Sequence, residues 1–157
     1  MKKIKVISVI ITLAVMALIF FFSSQNAEQS SEVSSGIADK IIDVITMVVG
    51  NDKNDSVRDF IHYITRKAAH FTMYFVLGVS AANTLSQFMK KRSINLLFLS
   101  VAFCVLYALS DEFHQYFVPG RSAMLTDVLI DGSGAFLGSV LFLNIRKSVV
   151  KRRQNGV

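Results

Sequence analysis

Four long apolar runs, spanning about 4–22, 68–89, 94–110 and 125–145, constrain this chain more than any other feature. Each is long enough, or nearly so, to carry a helix across about 30 Å of hydrocarbon. A soluble fold would have to cover runs this apolar on every side. In a chain of 157 residues, 52% of them apolar, nothing remains to do so. The reading is therefore an all-α polytopic membrane protein of four transmembrane helices, a single domain over 1–157.

The first run begins with Lys2, Lys3 and Lys5, as a secretory signal does. The stretch Ser23-Ser24-Gln25-Asn26-Ala27 is a poor cleavage site, with Gln25 where a small residue belongs, so an uncleaved anchor is expected. Orientation follows from Lys and Arg. With four spans, the N-terminus, the Lys90-Lys91-Arg92 turn and the tail with Arg146, Lys147, Lys151, Arg152 and Arg153 share one side. The opposite side has Lys40, Lys53, Arg58, Arg66, Lys67 and Arg121 over a much longer stretch. The positive-inside rule places both termini in the cytoplasm of a plasma-membrane protein. The short 90–92 turn makes spans two and three an antiparallel hairpin. The charge of +6 sits at the ends of apolar runs, which suits a phospholipid surface and not nucleic acid.

Between spans one and two lies a long extracytoplasmic segment. Ser23 to Ser35 is polar and reads as a loop or frayed helix end. Ile37, Ile41, Ile45 and Val48 then recur at helical spacing, with Asp39, Lys40, Asp43 and Thr46 elsewhere on the wheel. Too short to span, this stretch predicts an interfacial amphipathic helix. Gly50 to Asp55 reads as a turn. Ser56 with Asp59 resembles a capping box, ahead of an apolar stripe of Val57, Phe60, Ile61 and Ile64.

Ionisable groups in spans are costly and mark function by default. Here they gather at one depth. His70 and Tyr74 lie i, i+4 in span two, one turn below Arg66. Asp111, Glu112, His114 and Gln115 follow span three. Asp127 and Asp131, again i, i+4, open span four, with Arg121 in the loop Phe117-Val118-Pro119-Gly120-Arg121, whose Pro-Gly pair suits a tight turn. Arg121 is placed either to anchor a headgroup or to pair with these carboxylates. The bland alternative is a polar network that only locks helices together. The candidate pocket is His70, Tyr74, Asp111, Glu112, Gln115, Arg121, Asp127 and Asp131. No compact metal spacing stands within any one segment, and no phosphate loop, CxxC pair or HExxH is present, so no metal or cofactor is assigned.

Gly134 and Gly138, flanked by Ser133, Ala135 and Ser139, form a GxxxG spacing, and Gly78 with Ala82 repeats the pattern in span two. Small residues let helix backbones approach closely, and packing within the bundle is the expectation here. The single Cys104 lies in an apolar run and excludes an intramolecular disulfide.

Phe22-Ser23-Ser24-Gln25 is followed by Arg66-Lys67-Ala68-Ala69-His70-Phe71 with Tyr74, and then by Ser110-Asp111-Glu112-Phe113-His114-Gln115-Tyr116-Phe117-Val118-Pro119-Gly120-Arg121. Asp127 to Asp131 and Gly134 to Gly138 come next. In this order, and most specifically in the Ser110 to Arg121 stretch, the chain resembles the VanZ-like family of membrane proteins, although Asp131 stands where such sequences often carry Asn. The resemblance implies a small polytopic envelope protein, its best-known relative being linked to resistance to the antibiotic teicoplanin.

Together these readings predict an outward-facing pocket for an anionic lipid headgroup or a lipid-linked cell-wall precursor. His70, Arg66, Lys67 and Arg121 would meet phosphate, and Asp111, Glu112, Asp127 and Asp131 would orient those cations or accept ligand hydroxyls. Two rivals stand beside this: a membrane-embedded enzyme using metal or acid/base chemistry on a lipid, and a structural or regulatory membrane subunit.

Overall fold

Each apolar run is helical, and each helix outruns its apolar part. The computed structural model describes residues 2–26, 35–44, 55–89, 93–121 and 123–154. Among them the secondary structure is helical throughout: α1 (Lys2–Ser23), α2 (35–44), α3 (Asp55–Phe88), α4 (Ser93–Gln115) and α5 (Leu125–Gln154). The helical extension of span three is consequential, because it carries Asp111, Glu112, His114 and Gln115 on the last turns of α4 and not in a loop after it.

Three helical stretches are long and apolar enough to cross a membrane: Lys2–Ser23, Ile94–Gln115 and Leu125–Arg152. Their surfaces suit lipid. In α1 the buried residues are Ser8, Thr12, Ile19 and Ser23, while Ile4, Ile7, Ile11, Leu18 and Phe21 point outward. A soluble helix buries its large apolar side chains. With lipid outside there is no such drive, and small polar residues become the helix–helix contacts.

α3 does not reach the same hydropathy, because His70, Thr72, Ser80, Asn83, Thr84 and Ser86 interrupt its C-terminal two-thirds. It has less need of lipid-compatible surface, since it packs against α1, α4 and α5 together. Its 34 residues make a rod about 50 Å long at 1.5 Å per residue. The N-terminal third is exposed and meets α2 through Asp39, whose carboxylate lies 3.8 Å from Arg58 and 3.7 Å from His62.

Contact between α3 and α5 is backbone to backbone. A Cβ added at Gly78 would overlap the Ala135 carbonyl, one at Gly134 the Phe71 carbonyl, and one at Gly138 the Phe75 carbonyl. Ser139 Oγ donates to the Gly78 carbonyl at 3.2 Å across the same seam. On the other side of α3, the Thr12 and Thr84 hydroxyls meet at 2.9 Å, and Thr84 Oγ1 donates to the Ser8 carbonyl at 3.0 Å. Tyr107 Oη of α4 donates to the Met16 carbonyl of α1 at 2.7 Å. Ile19, Tyr74, Leu77, Cys104, Ala108 and Ala135 form the core where these seams converge.

α3 begins at Asp55 and runs on without a break into span two, with Ser56 inside its first turn. In α2 the buried residues are Ala38 and Ile42, whereas Ile37 and Ile41 stay 57% and 42% exposed. Ala38 and Ile42 form the packed face of α2, and the Ile37 and Ile41 stripe lies outside it. Ile45, Val48, the 50–54 part of the turn, most of the 23–35 loop and the 90–92 turn lie outside the described residues.

Candidate functional site

At one end of the bundle α1 and α4 finish and α5 starts. The chain passes from α4 to α5 through Val118-Pro119-Gly120-Arg121, where Arg121 N–H donates to the Val118 carbonyl at 3.1 Å. Gly120 has φ of 75°, and Pro precedes it, which together describe a type II turn. The turn delivers Arg121 against the C-terminal end of α1. Its Nη2 donates to the Phe22 carbonyl at 3.0 Å, its Nε to the Gln25 carbonyl at 2.9 Å and its Nη1 to Gln115 Oε1 at 3.1 Å. A cation at a helix C-terminus satisfies orphan carbonyls and opposes the dipole. Burial pulls the guanidinium below its ordinary pKa and neighbouring Arg66 pushes the same way, while Asp111 and Glu112 oppose them. Arg121 thus binds carbonyls and an amide, with no carboxylate ion pair among the described residues.

Gln115 relays that arrangement. With its oxygen held by Arg121, its Nε2 donates to Asp111 Oδ2 at 3.1 Å. Glu112, one residue on, does a different job: its Oε2 accepts the Met124 N–H at 2.9 Å, just ahead of α5. A carboxylate there caps the incoming helix and meets its positive end. Asp127, in the first turn of α5, is bonded by Lys67 Nζ, both side chains being 15% exposed. Four of the candidate residues are therefore partly committed to holding the helix ends together.

The remaining polar atoms are not. Among the described residues, the buried side-chain atoms without a hydrogen-bond partner belong to Ser23, Tyr74, Asp111, Glu112, His114 and Asp131, all at this end of the bundle. Asp131 is 0% exposed with both oxygens unpartnered, and His70 Nδ1 stands 3.7 Å from its Oδ1, beyond hydrogen-bond length. Tyr74 is 0% exposed and its hydroxyl finds no partner. Ser23 and Asp111 are near enough to interact, but neither Ser23 Oγ nor Asp111 Oδ1 has a hydrogen bond of ordinary length. Buried polar groups normally are bonded, so a cluster of exceptions points to a functional site.

Four of the candidate residues, His70, Tyr74, Asp111 and Arg121, line one cavity of about 550 Å³, together with Ser23 and Arg66. Its other walls are apolar: Ile19 and Phe22 from α1, Ile37 and Ile41 from α2, Ile64 and Met73 from α3. Ile37 and Ile41 form part of this lining although both are largely exposed. Glu112, Gln115, Asp127 and Asp131 are not in the lining. Among the described residues no group of three or more His, Cys, Asp or Glu side chains is set to hold a metal ion. Arg66 has no acidic partner among the described residues, which leaves its charge available to the cavity.

The sequence expectation included Arg66 as a cation to meet phosphate but did not include Ser23. A signal existed for Ser23, which lies in the short polar run that ends span one. The apolar walls gave no signal of their own, because Ile and Met in a membrane protein are unremarked until a neighbouring helix leaves a gap.

Comparison with curated proteins gives no match, and neither does comparison with solved structures. A family model described as VanZ/LLP1 matches residues 8–146, from the first turns of α1 to the C-terminal part of α5. That range contains every residue of the cavity and every bond that holds its end of the bundle. This membrane protein belongs to the VanZ/LLP1 family.

Proposed function

We propose that this protein binds an amphiphilic envelope molecule, a lipid or a lipid-linked cell-wall precursor, in the cavity between α1, α2 and α3. The observation that carries this is the two-part lining: apolar walls from three helices lead to a polar end made of Arg66, His70, Tyr74, Asp111 and Arg121. Ligand sites for molecules of this kind are largely apolar, with a few placed polar groups that fix orientation. The division of labour differs from a simple phosphate clamp. Arg121 and Lys67 are held by α1 carbonyls and by Asp127, so Arg66 and His70 are the side chains left to meet a phosphate.

α3 serves as a fourth crossing in this reading, shielded by its neighbours. The Lys and Arg residues at 2–5, 90–92 and 146–153 support a topology with both termini in the cytoplasm and the cavity at the outer face of the plasma membrane. α2 then lies in the outer interface, with Ile37 and Ile41 roofing an apolar chain. A link to glycopeptide response would run through the envelope molecule that the site holds.

Mass spectrometry of lipid retained by the purified protein tests the reading. Ala69 lines the cavity and is itself exposed, so Ala69→Trp fills space at little cost to packing. The unaltered protein should retain a restricted set of amphiphiles and Ala69→Trp should lose them at equal thermal stability. Identical retention by the two would end the proposal.

A further inference from the structure

We infer that the inner end of the cavity receives a primary ammonium group, so that the bound amphiphile is amine-headed. The inference rests on the lipid-binding reading and specifies its ligand. Three buried oxygens line the cavity without a hydrogen bond among the described residues: Ser23 Oγ, Tyr74 Oη and Asp111 Oδ1. Their residues are 2%, 0% and 3% exposed, so bulk water does not satisfy them. A primary ammonium offers three donors and no acceptor; the Asp111 carboxylate and the lone pairs of the Ser23 and Tyr74 hydroxyls can accept them, while the two hydroxyl protons stay free to turn towards Asp111.

Charge points the same way. Asp111, Glu112 and Asp131 are all buried at this end. Gln115 supplies Asp111 with one neutral donor, the Met124 N–H supplies Glu112 with another, and His70 stops 3.7 Å short of Asp131. Arg121, whose charge acts on Asp111, spends three of its donors on the Phe22 and Gln25 carbonyls and on Gln115. Carboxylates in a low-dielectric site hold a hydrogen-bonding cation strongly and an anion poorly. Arg66, on the same cavity wall, is then the partner for a phosphate carried next to the amine. An aminophospholipid has both groups in that order. A phosphate at the inner end would face Asp111 instead.

Three short-chain probes separate the chemistry: a phosphoethanolamine lipid with three N–H donors, a phosphocholine lipid with charge but no donor, and a phosphoglycerol lipid with hydroxyls and net negative charge. Affinities for the full-length protein in detergent should favour phosphoethanolamine by about tenfold or more, the size of one charge-assisted hydrogen bond. Asp111→Asn and Tyr74→Phe should each erase most of that preference. Tyr74→Phe removes only an unbonded hydroxyl, so it tests the claim in a protein that remains folded. Equal binding of the three probes, or an unchanged preference in a folded Tyr74→Phe, would overturn the ammonium inference. In that case loss of all three probes in Ala69→Trp would leave the lipid cavity standing, whereas failure of every probe to bind would overturn both.

Discussion

Replacing glycines by alanine one at a time tests whether α3 and α5 touch through their backbones. A Cβ at Gly36 meets nothing within 4 Å, one at Gly132 meets Val105 Cγ2 at 3.3 Å, and one at Gly138 overlaps the Phe75 carbonyl. Alanine in a helix gains up to about 1 kcal/mol over glycine by propensity. Overpacking costs about 1–3 kcal/mol, towards the upper end where the obstacle is backbone and cannot rotate aside. Net effects should be neutral to stabilising at Gly36, near zero at Gly132, where a valine methyl can move, and destabilising by about 2 kcal/mol at Gly138. The chain carries its own reporter: Cys104 is the single cysteine and is 0% exposed in the core. Its reaction with a fluorogenic thiol reagent during a thermal ramp in detergent follows loss of the bundle. A Gly138→Ala midpoint no lower than that of Gly36→Ala would refute close α3–α5 approach.

Arg121→Lys keeps the charge but loses the planar fork that spans two carbonyls and an amide, so the Cys104 midpoint should fall by the equivalent of about 1.5–3 kcal/mol. A double-mutant cycle of Lys67→Gln with Asp127→Asn should return a coupling of about 1–3 kcal/mol, because both partners are mostly buried; additive single effects would remove that lock from the account. Cysteines at Asn51 and Ser122 in a Cys104→Ala background should react with an impermeant thiol reagent on intact cells, and one at Gln154 should not; the reverse pattern would invert the orientation.

Spans one, three and four were legible because lipid-facing helices must be apolar along most of their length, and the Pro119-Gly120 turn because only glycine readily takes φ near 75°. The centrality of α3 was hidden by the same logic in reverse. A helix packed against three others tolerates small and polar residues, so Ser80, Asn83 and Thr84 lowered its signal while suiting its place. At the site, sequence brought His70, Tyr74, Asp111 and Arg121 to one depth, and they do share a cavity. It did not disclose that Arg121 would bond the Gln25 and Phe22 carbonyls, 96 and 99 positions away at the end of α1 and just after it, or that Glu112 would cap α5. Those bonds depend on where backbone polar groups are left over, which follows from how the helices end against one another.

Photo-crosslinking from inside the cavity tests the central claim most directly. Met73 lines the cavity, whereas Leu129 is 73% exposed on α5. A photoreactive diazirine side chain placed at either position, followed by illumination in native membranes and mass spectrometry of the adducts, compares the cavity with the outer surface. A site that holds an amphiphile predicts a narrow set of adduct masses at Met73, enriched over a bulk-lipid mixture at Leu129. The same mixture at both positions, or no adduct at Met73, would contradict the account.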